Sequence, residues 1–204
     1  MRQVPHGETC RLRKDEWVSR LETVVLDLER HSAEAGWDAP PRLYALVEAA
    51  ELRRHEPTLA KELGISPDVG SIAALEQPPL PGSDAAPIED LLATIAWPAR
   101  VDGCAIVLER IVLPPEAEAE VQGGDEGLDG WAAGHPRRED VRVVVGVLRD
   151  GSRHSALRLR KHDDDGAVLS GPDLVPALAD ALAATLMSEG PEDSESAEGR
   201  PDGP

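Results

Sequence analysis

Val141-Arg-Val-Val-Val-Gly-Val-Leu-Arg-Asp-Gly-Ser-Arg-His-Ser-Ala-Leu-Arg-Leu-Arg160 decides the fold. Two strand-like runs flank Asp150-Gly151, a turn signal. Alternation puts Val141, Val143, Val145 and Val147 on one face of the first run, and Arg142, Val144, Gly146 and Leu148 on the other. In the second run Leu157 and Leu159 share a face, while His154, Arg158 and Arg160 share the opposite one. A two-residue turn would set Val143 against Arg158 and mix apolar with charged residues on both faces. A three-residue loop, Arg149-Asp150-Gly151, slips the pairing by one residue and restores order, with Gly151 at the position that needs positive φ. Val143 then faces Leu157, Val141 faces Leu159, and Arg142 falls opposite Arg158.

The result is a basic stripe of Arg142, His154, Arg158 and Arg160 on one sheet surface. Like charges directly opposite each other are unfavourable, so the stripe should recruit an acid of the same chain first and an external anion or acidic peptide second. The plain alternative is a solvated outer face neutralised by the chain's own acidic loops.

Working outward, Cys104 to Leu113 is β-rich and mostly apolar and reads as a central strand, stopped by Pro114-Pro115. A short strand is expected at 167–169. Upstream, residues 15–35 read as an amphipathic helix carrying Trp17, Val18, Leu21, Val24, Val25 and Leu28, with Gly36 at its stop. A second helix is expected over 42–54, a short one over 57–63, and another after Pro87 carrying Ile88, Leu91, Leu92 and Ile95. Asp173 should cap a closing helix with Leu174, Val175, Leu178, Leu182 and Leu186 on one side. Residues 65–87 and 114–138 read as long loops. Helices first, then a small antiparallel meander, then a closing helix: the class is α+β. The expected organisation is a flexible N-terminus over 1–14, a single domain over 15–188 and a disordered acidic tail over 189–204.

Net charge is −18, unevenly spread: residues 114–130 hold six acids and no base, and residues 189–204 six acids and one base. Such acidity repels polyanions, so nucleic acid and anionic membrane are not expected partners, and a protein partner is. Aromatic residues make up only 2% of the chain, so the core must be built from Val, Leu, Ile and Ala. Met1 to Lys14 is polar and has no apolar signal segment, which predicts a cytoplasmic protein. Cys10 and Cys104 should be free thiols, the latter in the core.

Signatures of chemistry are weak. Thr58 to Pro67 has the cadence of a helix-turn-helix, but its recognition helix, about 67–76, would carry two acids and no base. The histidines share no metal-ligand spacing. His162-Asp-Asp-Asp-Gly166 lacks a first calcium ligand at Lys161 and reads as a solvated turn. No nucleophile elbow or phosphate loop is present. Neither a catalytic residue nor a cofactor is expected.

Several stretches nevertheless carry a resemblance. They are Trp37-x-x-Pro-Pro-Arg-Leu-Tyr44, Glu56-Pro57, Trp97-Pro-x-x-Val-x-Gly-Cys-Ala105 and Leu113-Pro-Pro115. His135-Pro-x-x-x-Asp-Val-Arg142, Gly146-Val-Leu-Arg-Asp-Gly151 and Asp173-Leu-Val-Pro176 continue it. Over about residues 15–188 the chain resembles an uncharacterised actinobacterial family of acidic cytoplasmic proteins with no assigned activity. The resemblance implies a cytoplasmic actinobacterial origin and carries over no catalytic residue. The leading expectation is a non-enzymatic protein-binding or scaffold domain. An enzyme of unrecognised type and a helix-turn-helix-like DNA-binding regulator are the alternatives.

Overall fold

The computed structural model describes residues 6–65, 71–83, 86–112 and 138–187, with side chains from Arg20 onward. The expected acidic loop over 114–138 lies outside these residues save for its last position, and the acidic tail lies wholly outside them.

The fold is α+β. Helix α1 (His6–Ala35) is followed by strand β1 (Arg42–Glu48), helices α2 (Ala49–His55) and α3 (Pro57–Glu62), strand β2 (Ile72–Glu76) and helix α4 (Ile88–Leu92). Strands β3 (Gly103–Val112), β4 (Glu139–Leu148), β5 (Arg153–Leu159) and β6 (Leu169–Gly171) come next, and α5 (Pro176–Met187) closes the chain. The six strands form one sheet in the order β2-β1-β3-β4-β5-β6, every neighbour antiparallel.

Two expectations are corrected in the N-terminal half. Residues 42–48 are a strand, and helix begins only at Ala49. Leu43, Tyr44, Ala45 and Leu46 are all buried, because β1 lies inside the sheet with helices on both faces. A strand buried on both sides loses its alternation, and its apolar run then matches a helical face equally well. Within the expected 65–87 loop, Ile72 to Glu76 pair with Glu48 to Tyr44. The stretch that a helix-turn-helix would use for recognition is therefore an edge strand over 72–76.

Smaller differences follow local geometry. Helix α1 starts at His6 rather than Asp15, and α4 is a single short turn ending at Leu92. Strand β5 ends at Leu159 in a 3-10 turn, and β6 lies at 169–171 rather than 167–169. Helix α5 starts at Pro176, three residues past Asp173, whose expected cap is not made at that distance.

The β4–β5 register is the one the three-residue loop requires. Leu148 N–H donates to Ser152 O at 2.9 Å, Gly151 N–H donates to Leu148 O at 3.0 Å, and Gly151 has φ 83°. Val143 pairs with Leu157, Val141 with Leu159, and Arg142 with Arg158.

Two cores result. Under α4 and α5, Leu92, Trp97, Leu178, Leu182 and Leu186 pack on Cys104, Ile106, Val143, Val145 and Val147. On the other face, Leu21, Val25 and Leu28 of α1 pack on Leu46, Ala105, Val107, Val144 and Ala156. Helix α1 comes so close to β4 that a Cβ at Gly146 would stand 2.9 Å from Leu21 Cδ1 and Val25 Cγ2. The sheet is thus the middle of three layers, and the face carrying the basic stripe is covered. An open, solvated outer face is ruled out for Arg142 and Arg158, which are 1% and 2% exposed.

Candidate functional site

The stripe is held by α1, by the turn that follows it, and by the 160–167 segment. Arg158 Nε donates to Glu29 Oε1 at 2.6 Å and its Nη2 to Glu29 Oε2 at 2.8 Å. Glu29 comes from the sheet-facing side of α1 and is 2% exposed. From the rim, Asp165 accepts from Nη2 at 2.8 Å and Asp163 from Nη1 at 3.3 Å. Glu29, ahead of the opposing effect of burial, raises the Arg158 pKa further above its ordinary value.

Arg142 takes its partners from the turn after α1. Its Nη2 donates to Gly36 O and, at 3.1 Å, to Glu109 Oε1. Its guanidinium carbon lies 4.3 Å from the centroid of the Trp37 ring. Arg160 lies over the same ring at 5.4 Å and grips Asp38 with both terminal nitrogens, at 2.7 and 2.8 Å. Trp37 Nε1–H donates to Asp163 Oδ2 at 3.0 Å, and Asp38 N–H to Glu109 Oε2 at 2.8 Å. Asp38 has φ 66°, a left-handed backbone that aspartate adopts more readily than most non-glycine residues. The Trp37 hydrogen bond first, then Arg158, keeps Asp163 below the usual carboxylate range, and Arg160 does the same for Asp38.

The structure therefore joins Arg142, Arg158 and Arg160 in one network through the Trp37 ring and six carboxylates, the sixth being Asp140, 3.8 Å from Arg160 Nη1. Their partners are acids of the same chain, which leaves the surface little positive charge to offer. Aspartates that read as a solvated turn, Asp163 and Asp165, are ligands of Arg158. Glu29 is the partner that sequence reasoning missed. Its signal was an acid beside Leu28 on the apolar side of α1, visible once that side is turned to the sheet.

His154 stands apart from this network. It is 5% exposed, pairs with Gly146 across the strands, and places Nε2 2.7 Å from Ser170 Oγ on β6. Burial lowers its pKa, while the Glu22 carboxylate on α1 pulls the other way.

Elsewhere, Cys104 is fully buried, with Thr185 Oγ1 at 3.6 Å and Leu182 O at 3.7 Å. Burial pushes its thiol up to about 11, so it stays protonated and unreactive near neutrality. Arg149 gathers the carbonyls of Trp97, Pro98, Val101 and Leu186, tying the end of α5 to the β3 entry. Among the described residues no three His, Cys, Asp or Glu side chains are placed to hold a metal ion, and no helix is long and apolar enough to cross a membrane.

Comparison with curated proteins and with solved structures finds no match. The family model described as PPA1309-like protein matches residues 21–187, from the α1 segment that carries Glu29 to the last residue of α5. The chain belongs to the PPA1309-like protein family.

Proposed function

We propose that this chain is a cytoplasmic protein-binding or scaffold domain. The observation behind this reading is the β6 margin of the sheet. On the face beneath α5, Leu157 and Leu159 are only partly buried, and Leu169, the cross-strand partner of Leu157, is 56% exposed. Strand β6 is the outermost strand at this end, so its outer backbone groups face no further strand among the described residues. An extended segment of a partner can add to such an edge through main-chain hydrogen bonds, with an apolar side chain seated on Leu169. The net charge of −18 favours a basic or neutral partner over an acidic one. The internal neutralisation of Arg142, Arg158 and Arg160 weighs against an external anion as the natural ligand.

The test is affinity capture from the native cytoplasm with the wild-type chain and with Leu169→Asp, after both are shown to melt alike. A partner held by the wild type and lost by the variant supports the reading. An identical partner set on both baits refutes this margin as the binding surface.

A further inference from the structure

His154 is a buried titratable group that the arginine network leaves out. Its ring lies on the face that α1 covers, while its hydrogen-bond partner, Ser170, is an exposed residue of the outermost strand. The Nε2–Oγ separation is 2.7 Å, the reach of a base on a nucleophile's proton. Burial keeps the imidazole neutral at pH 7, the form that accepts a proton. Glu22 is the charged group of α1 whose field reaches the ring, and it favours the imidazolium that proton transfer would create. Neither β4, which offers Gly146 opposite the ring, nor β6, which offers Ser170, brings a further charge. Nδ1 makes no hydrogen bond to a described residue, so the Ser170 hydroxyl is the ring's contact. A serine needed only to satisfy a buried ring would serve as well out of reach of solvent. Here the base is shielded, while the serine belongs to an exposed residue of the edge strand.

We propose that Ser170 and His154 form a nucleophile–base pair that takes an acyl group from an activated ester. With the ring proton on Nδ1, Ser170 Oγ attacks the ester carbon and its proton passes to His154 Nε2. The bond to the leaving alcohol then breaks, and that oxygen takes the proton back from Nε2. The products are acyl-Ser170, the free alcohol and a neutral histidine, with no change of oxidation state. This activity goes beyond the binding role and does not depend on it.

The test uses the full chain with p-nitrophenyl acetate and with a fluorophosphonate probe, each followed by peptide mapping. Ser170 should carry the adduct in preference to the chain's other serines. Ser170→Ala leaves His154 Nε2 without its partner, so it should stay folded with at most a modest fall in melting temperature, and it should lose that adduct. His154→Gln should slow modification by about 10²-fold or more, the usual worth of a general base. Because that variant removes a buried ring, the wild-type pH profile is an independent reading. The rate should rise with a midpoint below the ordinary imidazole range and then level, and Glu22→Gln should move the midpoint lower still. No adduct at Ser170, an equal rate in folded His154→Gln, or a rate that follows hydroxide without levelling would overturn the proposal.

Discussion

Beneath α5, strand β4 presents Val141, Val143, Val145 and Val147; beneath α1, the same strand presents Arg142, Val144, Gly146 and Leu148. Both faces are buried, yet they are held by different means. The valine face gains from area removed from water, which is non-directional and tolerates small shifts of the covering helix. The arginine face gains only where each donor meets an acceptor, because an unpaired buried charge is costly. The first face therefore glues α5 on, while the second dictates where α1 and the turn after it must sit. A carboxylate one helical turn away from Glu29 would leave Arg158 without its main partner.

The sharpest way to break this contrast is Glu29→Ala, which strands a buried guanidinium on its two rim aspartates. A loss of about 3–5 kcal/mol in urea denaturation is expected. Replacing the pair together, Glu29→Leu with Arg158→Met, should recover most of that loss, since apolar residues of similar volume remove the charge as well as its partner. A double variant as unstable as the single one would show that the aspartates, not Glu29, hold Arg158. On the other face Leu182→Ala should cost about 2–5 kcal/mol with no such rescue. Gly146→Ala probes the close approach of α1, and the required shift of Leu21 and Val25 should cost about 1 kcal/mol, since flexible side-chain ends can yield.

The titration of His154 gives a gentler test. Its folded pKa is lowered, so the unfolded chain binds the proton more readily. The stabilisation is complete above the ordinary imidazole range and is lost as pH falls through it, by at most about 1.4 kcal/mol per pH unit. Urea midpoints at successive pH values should show this slope and lose it in His154→Gln. Asp38 and Asp163, both held below the carboxylate range, add their losses only under about pH 4. The smallest effect belongs to Arg160→Ala. Arg160 and Asp38 are 40% and 73% exposed, and water and salt screen such a pair. The melting temperature should barely move, and any difference should vanish in high salt.

How legible each face was follows from these rules. The β4–β5 register could be read because one face repeats valine at every second position and Gly151 admits a single loop length. Leu178, Leu182 and Leu186 gave the inner side of α5 for a similar reason. Strand β1 was not legible: Leu43 to Leu46 are apolar without a gap, and only the sheet on either side makes them a strand. Ile72 to Glu76 are five residues whose strand state depends on pairing with β1. Of the candidate residues, Arg142, Arg158 and His154 could be placed on one face from alternation alone, whereas Arg160 lies in the 3-10 turn just past the end of β5. That α1 would cover that face, with Glu29 aimed at Arg158, needed the third dimension. A single acid among the helix's apolar residues looks like ordinary surface until the helix is docked.

Glu29 and Arg158 stand 129 positions apart. On a ribosome adding about 5–20 residues per second, Arg158 is made roughly 6 to 26 seconds after Glu29. For that interval α1 exists with Leu21, Val25 and Leu28 but without the hairpin that receives them. Strand β1 likewise waits for β3, since Arg42 pairs with Val107. A nascent chain of this protein therefore carries its first helix and first strand uncovered until most of its length has been synthesised. Its yield in a cell should depend on what shelters them in the meantime.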